Sequence, residues 1–154
     1  MNISIRTLQE QDAEISVKWR NIPDIWTHTT FKADREITLQ DERNWIQKVI
    51  NEETSARFAI MVDDVYVGNI YITNIDNEGG EYHIFIGDKN YWGKGVASAA
   101  SRLILDYTKD TLRLKYIDLY VKKDNQSAFH IYEKLGFKLT GKSRDEFVNM
   151  RLYL

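Results

Sequence analysis

A glycine-rich segment, Tyr91-Trp92-Gly93-Lys94-Gly95-Val96-Ala97, has the composition of an anion-binding turn. Gly93 and Gly95 permit a tight turn that exposes successive backbone N–H groups, and the residues that follow have helical spacing. A helix N-terminus binds phosphate or pyrophosphate through such groups, and Lys94 adds a cation. A P-loop needs Ser or Thr where Gly95 stands, and the dinucleotide fingerprint needs glycine where Ser98 stands. ATP and NAD are therefore disfavoured, while a plain glycine-rich connector remains an alternative.

A second segment, residues 124–137, could present an amide and a phenol to one ligand. Asn125 is suited to cap a helix, and Tyr132 follows seven residues later, about two turns along the same face. Ala128, Ile131 and Leu135 share this face, so a core tyrosine is the alternative. The two segments together favour a ligand site more strongly than either does alone.

The elements that must position these residues follow from the hydrophobic periodicity. Asp63-Asp64 supplies the turn of a hairpin, Thr38 is suited to cap a helix, and Gly136 is suited to end one. We predict strands over Asn2–Leu8, Arg57–Val62, Val65–Ile75, Glu81–Gly87, Tyr116–Val121 and Phe147–Leu154. We predict helices over Glu10–Asn21, from Thr38 to near Asn51, through Leu103, Ile104 and Tyr107 after a glycine turn that begins at Gly93, and from Asn125 to Gly136. A hairpin combined with βα crossovers predicts an α/β fold, with one mixed sheet and helices on its faces.

The glycine-rich turn resembles a motif of the Gcn5-related N-acetyltransferase (GNAT) superfamily. That motif reads Gln or Arg, two residues, Gly, one residue, then Gly or Ala, and it corresponds to Trp92, Gly95 and Ala97. Trp92 departs from the usual Gln or Arg, and Tyr-Trp-Gly-Lys-Gly looks like the RimJ/RimL-like branch. The second motif of the superfamily matches in order and spacing at Asn125, Ser127, Tyr132 and Gly136-Phe137. The resemblance covers Glu81 to Phe137 and implies a central, mostly antiparallel twisted sheet flanked by helices on both faces.

The same resemblance implies an N-acetyltransferase with acetyl-CoA as its cosubstrate. Tyr132 would face the sulfur, where its hydroxyl can protonate the leaving thiolate, and a fixed N–H would stabilise the oxyanion that forms on the thioester. The cofactor-binding residues implied in this way are Phe85, Ile86, Gly87, Trp92, Gly93, Lys94, Gly95, Val96, Ala97, Asn125 and Ser127.

Glu81 is the candidate base for the acceptor amine. It precedes Trp92 by 11 residues, the offset at which histone-acetylating members of the superfamily carry their glutamate base. His83 lies two residues further along the same predicted strand and therefore on the same face. A solvated glutamate, with ordered water as the base, is the alternative.

The N-terminal region is rich in aromatic and cationic side chains, which suit an acceptor wall. The candidate substrate-binding residues are Trp19, Arg20, Trp26, His28, Phe31 and His83, although core packing explains the tryptophans equally well. An amino-sugar nucleotide and the N-terminus of a ribosomal protein are both open as acceptors, and a polyamine or an antibiotic is a further possibility. A non-catalytic acyl-CoA-binding regulatory module and a protein for another phosphate ligand are the alternatives from other classes.

Composition narrows the remaining possibilities. The 154 residues predict one domain, residues 1–154, and the absence of cysteine excludes an acyl-cysteine intermediate, so the acetyl group would be attacked directly in a ternary complex. No zinc-type spacing is present, so no metal is expected. A net charge of −2 disfavours nucleic acid as a partner, and the lack of an apolar run or a signal peptide predicts a cytoplasmic protein with no membrane contact. A homodimer is possible through an exposed sheet edge, for which Phe147–Leu154 is the candidate.

Overall fold

A computed structural model describes residues 1–26 and 34–154. The strands are β1 (Ile3–Thr7), β2 (Ala56–Val62), β3 (Val65–Thr73), β4 (Gly79–Ile86), β5 (Tyr116–Lys122), β6 (Lys138–Arg144) and β7 (Phe147–Tyr153). The helices are α1 (Ala13–Arg20), α2 (Leu39–Ile50), α3 (Val96–Tyr107) and α4 (Gln126–Leu135), with single turns at Glu10–Asp12, Pro23–Trp26, Lys89–Tyr91 and Thr108–Leu112.

The seven strands form one sheet in the order β1-β2-β3-β4-β5-β7-β6. Every neighbouring pair is antiparallel except β4 and β5, which run parallel. The predicted hairpin is confirmed, since Val62 pairs with Val65 and both Asp63 and Asp64 have positive φ. The prediction of a mostly antiparallel mixed sheet with helices on both faces is also confirmed.

Two hydrophobic clusters cover the two faces of the sheet. Apolar residues of α3 and α4 pack with Ile70, Tyr82 and Ile117 on one face, which we call the α3/α4 face. Trp19 of α1 and Ile46 of α2 pack with other strand residues on the opposite face, which we call the α1/α2 face. Alternation along the strands therefore decides which side chains face each helix layer.

The edge strands differ from the prediction. β6 is absent from the predicted elements because all seven of its residues are exposed, so it has no apolar alternation to detect. The proposal of Phe147–Leu154 as a free edge is wrong, since β7 lies between β5 and β6 and pairs with both. β6 and β1 are the edges, and β6 carries Lys138 and Lys142, charges that discourage pairing with another chain.

A wedge opens between β4 and β5. These strands pair only from Gly79 to Glu81 on β4 and from Tyr116 to Asp118 on β5. Beyond these residues the rest of β4 and the rest of β5 are not joined by any described pair, so the backbone of β4 lacks a ladder partner on this side. The glycine turn that precedes α3 and the helix α4 follow β4 and β5 respectively. This wedge is where the sheet can accept a ligand.

Candidate active site

The N-terminus of α3 has unpaired backbone donors. Gly95 is its N-cap with φ +79°, Gly93 has φ +71°, and no side chain caps the helix. The first intrahelical bond at this end runs from the Ala99 N–H to the Gly95 carbonyl at 3.1 Å, so the N–H groups of residues 96–98 have no helical acceptor. A Cβ on either glycine would meet no atom within 4 Å, so backbone conformation and not space requires glycine here. Such a terminus has the donors and the dipole to hold a pyrophosphate.

Trp92 lies beside this helix start but points back to β4. Its indole Nε1 donates to the carbonyl of Ile86 at 2.8 Å, and its side chain remains 45% exposed. The Lys89 ammonium lies 5.9 Å from the Trp92 ring and pairs with Asp24 at 2.9 Å. Trp92 thus bonds to the strand rather than reaching toward the N–H groups of α3.

The register of β3 and β4 determines which backbone groups face the wedge. Gly87 donates its N–H to the Val67 carbonyl at 2.8 Å, which makes Ile86 and Gly68 a non-hydrogen-bonded pair. The N–H and C=O of Ile86 therefore point away from β3 into the wedge, as do those of residue 84, whereas those of Phe85 point to β3. Of the three residues expected to offer backbone groups, Ile86 has both groups in the wedge, Phe85 directs both to β3, and Gly87, which follows β4, donates its N–H to Val67.

Gly87 and Phe85 have packing roles instead. A Cβ on Gly87 would lie 2.0 Å from the Trp19 ring, so the glycine allows the indole to pack on the backbone. The Phe85 ring contacts Trp19 at 6.0 Å and Trp26 at 4.8 Å between ring centroids. The expected contribution of Phe85 and Gly87 is corrected accordingly: they shape the α1/α2 face.

Tyr132 projects from α4 to the α3/α4 side of the sheet. Its ring makes edge contacts with Tyr82, at 5.8 Å, and Phe137, at 6.0 Å between centroids. Burial raises the pKa of Tyr132 to about 12, so the hydroxyl is protonated at neutral pH. No described residue forms a hydrogen bond with this hydroxyl. It therefore has its donor available for a ligand.

The start of α4 is fixed by Asn125. Its side-chain oxygen accepts from the Ala128 N–H at 3.3 Å and from the Ser127 hydroxyl at 3.2 Å. The predicted helix cap is confirmed, and Gly136 ends the helix as its C-cap residue with φ +103°. Asn125 and Ser127 thus set the position of α4, and hence of Tyr132, next to the wedge.

Glu81 and His83 lie on the α1/α2 face, at the point where β4 and β5 separate. Glu81 is 15% exposed, and its carboxylate lies 3.5 Å from His83 Nε2 and 3.6 Å from Arg144 Nη1. The hydrogen bond from His83 and the nearby positive charges lower the pKa of Glu81 below its ordinary value. A lowered pKa keeps the carboxylate charged and makes it a weaker base.

A cleft of about 210 Å³ surrounds the Glu81 carboxylate. The Arg144 guanidinium lies 3.8 Å from the Tyr120 ring centroid, and Asp118 pairs with Arg151 at 2.6 Å. The lining residues are Asn74, Asp76, Gly79, Gly80, Glu81, Tyr116, Asp118, Tyr120 and Arg144. Sequence reasoning missed Asp118, Tyr120 and Arg144, although the alternation of β5 places Asp118 and Tyr120 opposite the buried Ile117 and Leu119.

The predicted acceptor wall is divided between core and surface. Trp19 is only 6% exposed, with its ring 4.8 Å from Tyr66, so its assignment as a substrate contact is corrected to a core residue. Arg20 is 11% exposed and bonds the buried Glu42 at 3.1 Å, which joins α1 to α2. Trp26 is half-buried and lies under the Arg20 guanidinium at 5.1 Å. His28 and Phe31 lie outside the described residues.

Within the described part of the chain, no three His, Asp or Glu side chains converge in a geometry that could hold a metal ion. No helix among residues 1–26 and 34–154 is long and apolar enough to span a membrane.

The parallel β4–β5 pair with its wedge, the uncapped helix start and the buried tyrosine agree with the acetyltransferase architecture that the sequence resemblance implies. Residues 2–138 match the family model described as acetyltransferase (GNAT) domain, so the chain belongs to the GNAT family. It is an N-acetyltransferase that uses acetyl-CoA.

Relatives of known name support this classification. The chain is 28% identical to spermidine N(1)-acetyltransferase of Escherichia coli strain K12 over 151 residues, covering 95% of this chain and 78% of the relative. It is 25% identical to acetyltransferase PseH of Campylobacter jejuni (serotype O:23/36, strain 81-176) over 138 residues, covering 90% of this chain and 84% of the relative.

Solved structures share the fold. Spermidine N-acetyltransferase of Vibrio cholerae, solved with CoA and spermine, superposes with a TM-score of 0.86 at 23% identity, covering 98% of this chain and 95% of that one. RimJ of Mycobacterium smegmatis, solved with CoA-disulfide, superposes with a TM-score of 0.86 at 15% identity, covering 98% of this chain and 81% of that one. At such identities the likeness concerns the fold, and the assignment to the RimJ/RimL-like branch stays a prediction.

Proposed function

We propose that the protein transfers the acetyl group of acetyl-CoA to a primary amine of a small cationic acceptor, such as a polyamine, bound in the cleft beside Glu81. The observation that carries the proposal is the position of this cleft. It opens on the α1/α2 face where β4 and β5 separate, whereas Tyr132 borders the wedge from the α3/α4 face. An acceptor in the cleft and a thioester in the wedge would therefore meet from opposite sides of the sheet.

The cosubstrate would extend along the wedge. Its pyrophosphate would accept from the N–H groups at the start of α3, with Lys94 nearby, and its pantetheine arm would pair with the free side of β4 at Ile86. The acetyl carbonyl would then lie where an N–H of β4 can stabilise negative charge on oxygen. The wedge and the uncapped helix end support this placement.

In the transfer step, the neutral amine attacks the thioester carbon, the C–S bond breaks, and the thiolate leaves. Tyr132 would give its proton to that thiolate and recover one from solvent. The amine would lose its protons to water or to Glu81. Because the pKa of Glu81 is lowered, we assign this carboxylate first to holding the cationic acceptor, and its role as the base stays a prediction.

Carboxylates support a cationic acceptor. Asp76, Glu81 and Asp118 all line the cleft, and relatives named for spermidine acetylation match nearly the whole chain. The pKa values of Asp76 and Glu81 are lowered by hydrogen bonds, so both are ionised at neutral pH. An ammonium group placed between them would gain charge-assisted hydrogen bonds.

An amino-sugar nucleotide is the second candidate acceptor. Arg144 also lines the cleft, is 62% exposed, and stacks on Tyr120, an arrangement that suits a phosphate above an aromatic surface. For a ribosomal-protein N-terminus or a non-catalytic regulatory role, the described residues offer no comparable feature.

Release of free CoA thiol from acetyl-CoA tests the proposal with spermidine, an amino-sugar nucleotide and a ribosomal-protein N-terminal peptide as acceptors. Turnover with spermidine that weakens in Glu81→Gln by a raised KM for the amine supports the cationic cleft. Glu14→Gln, at an exposed pair on α1, is the matched control and should leave KM unchanged. Turnover with the nucleotide alone, lost in Arg144→Gln, would favour the second acceptor, and tight acetyl-CoA binding without turnover would contradict both.

A further inference from the structure

We propose that the Trp92 indole is a temporary partner of the Ile86 carbonyl, which exchanges it for an amide N–H of the pantetheine arm when acyl-CoA binds. Trp92 would thereby occupy this carbonyl in the free protein and compete with the arm for it. The inference rests on the placement of the arm in the wedge proposed above. It concerns a side chain that stands where the superfamily motif has Gln or Arg.

The Ile86 carbonyl is the backbone acceptor at the end of β4 that faces the wedge. Its direction follows from the bond of the Gly87 N–H to the Val67 carbonyl, which leaves both polar groups of Ile86 unpaired with β3. An extended ligand that pairs with this side of β4 as a strand does would use the N–H and the C=O of one residue together. The indole N–H donates to the Ile86 carbonyl at 2.8 Å, whereas the Ile86 N–H has no partner among the described residues.

Pantetheine has the chemistry to take over this bond. It is an extended chain with two secondary amides, so it carries both donors and acceptors at strand-like spacing. An amide N–H that fails to find an acceptor in the wedge loses a hydrogen bond it made in water, which is unfavourable. A carbonyl oxygen can accept two hydrogen bonds, but the arm would bring its donor to the Ile86 oxygen from the wedge, where it competes with the indole already bonded there.

The position of Trp92 keeps the free-energy cost of breaking its hydrogen bond to the Ile86 carbonyl small. The side chain is 45% exposed and sits in a turn directly before Gly93, whose φ of +71° is a conformation that glycine adopts freely. Among described residues, the ring belongs to neither core cluster, and the Lys89 ammonium lies 5.9 Å from its centroid. The exchange then costs little beyond the single indole bond, which water can replace.

The test compares two ligands and two variants by titration calorimetry. CoA carries the pantetheine arm, while ADP 3′-phosphate carries the nucleotide and the pyrophosphate without it. Trp92→Phe cannot bond the Ile86 carbonyl, so we expect its Kd for CoA to fall about fivefold, equivalent to about 1 kcal/mol, with the Kd for ADP 3′-phosphate unchanged. Tyr153→Phe, an exposed aromatic on β7, is the control and should bind both ligands as the unaltered protein does.

Other outcomes overturn the inference. Equal CoA affinity in Trp92→Phe means that the indole bond survives binding, and weaker affinity for both ligands means that Trp92 contacts the nucleotide. Weaker affinity for CoA alone means that the indole itself holds the arm. Failure of the unaltered protein to bind CoA would instead refute the proposed function.

A second measurement does not depend on the folding of Trp92→Phe. Indole N–H signals of the ¹⁵N-labelled protein report hydrogen bonding directly, and the Trp92 signal is assigned by its absence in Trp92→Tyr. On addition of CoA, but not of ADP 3′-phosphate, this signal should move upfield and exchange faster with water. A signal that stays in place under saturating CoA contradicts the exchange.

Discussion

Replacement of Tyr132 by Phe tests the chemistry at the wedge with little disturbance of the fold. The ring contacts with Tyr82 and Phe137 are kept, and no described residue loses a hydrogen bond. Transfer of a proton from a hydroxyl of pKa about 12 to a thiolate whose thiol has a pKa near 8.5 is unfavourable by roughly 5 kcal/mol. The proton must therefore move as the C–S bond breaks, when the sulfur is becoming basic and a hydrogen bond to it is strongest.

We expect kcat of Tyr132→Phe to fall about 100-fold or more, in the range for loss of a general acid, with the Kd for acetyl-CoA within about threefold. The assay is release of CoA thiol with the acceptor that the panel proposed above identifies, together with the melting temperature, which should change by less than about 2 °C. Tyr153→Phe, at a tyrosine 72% exposed on β7, is the control and should keep full activity. A Tyr132→Phe protein that binds acetyl-CoA and turns over at the original rate would refute the assignment of this hydroxyl as the acid.

Three further substitutions test other parts of the structure. Glu42→Ala removes the carboxylate of a buried ion pair with Arg20, so we expect the free energy of unfolding, measured by thermal unfolding, to fall by about 3–5 kcal/mol. The control Glu14→Ala removes one side of an exposed pair and should lower it by less than about 0.5 kcal/mol. Gly95→Ala and Gly141→Ala both place a side chain at positive φ with no clash, so each should lose about 1–2 kcal/mol of stability, but only Gly95→Ala should weaken acetyl-CoA binding in calorimetry. Because the folded protein lowers the pKa of Glu81, its charge stabilises the fold above the ordinary glutamate pKa. Melting curves of Glu81→Gln should therefore show a deficit in stability at pH 7 that shrinks as the pH falls below about 4.5 and disappears once the pH is below the lowered pKa of the folded protein.

The sequence predicts the elements whose apolar residues have a clear period. The glycine turn and the Asn125 cap are local signals, and the structure has both where they were expected. β6 could not be predicted in this way, because a fully exposed edge strand buries no face and so has no pattern. Its Arg144 was missed for the same reason, although it lines the acceptor cleft.

The direction of backbone groups is a property of register, which the sequence does not contain. A resemblance identifies a strand that contacts the cosubstrate, but one bond, from Gly87 to Val67, decides that Ile86 and not Phe85 faces the wedge. Burial of the tryptophans was likewise ambiguous, because an aromatic residue on an amphipathic helix suits either a core or a cleft. Trp19 is in the core because Gly87 leaves room for its ring.

The position of β7 has a consequence for synthesis on the ribosome. β7 lies between β5 and β6 although it follows both in the chain, so β5 emerges from the ribosome without the neighbour that will later cover its outer side. Until residues 147–153 have left the ribosome, the nascent chain presents β5, with its apolar Ile117, Leu119 and Val121, as an open edge. A ribosome stalled before this point would hold a chain prone to aggregate, and the acceptor cleft becomes complete only after β7 has left the ribosome and paired with β5 and β6.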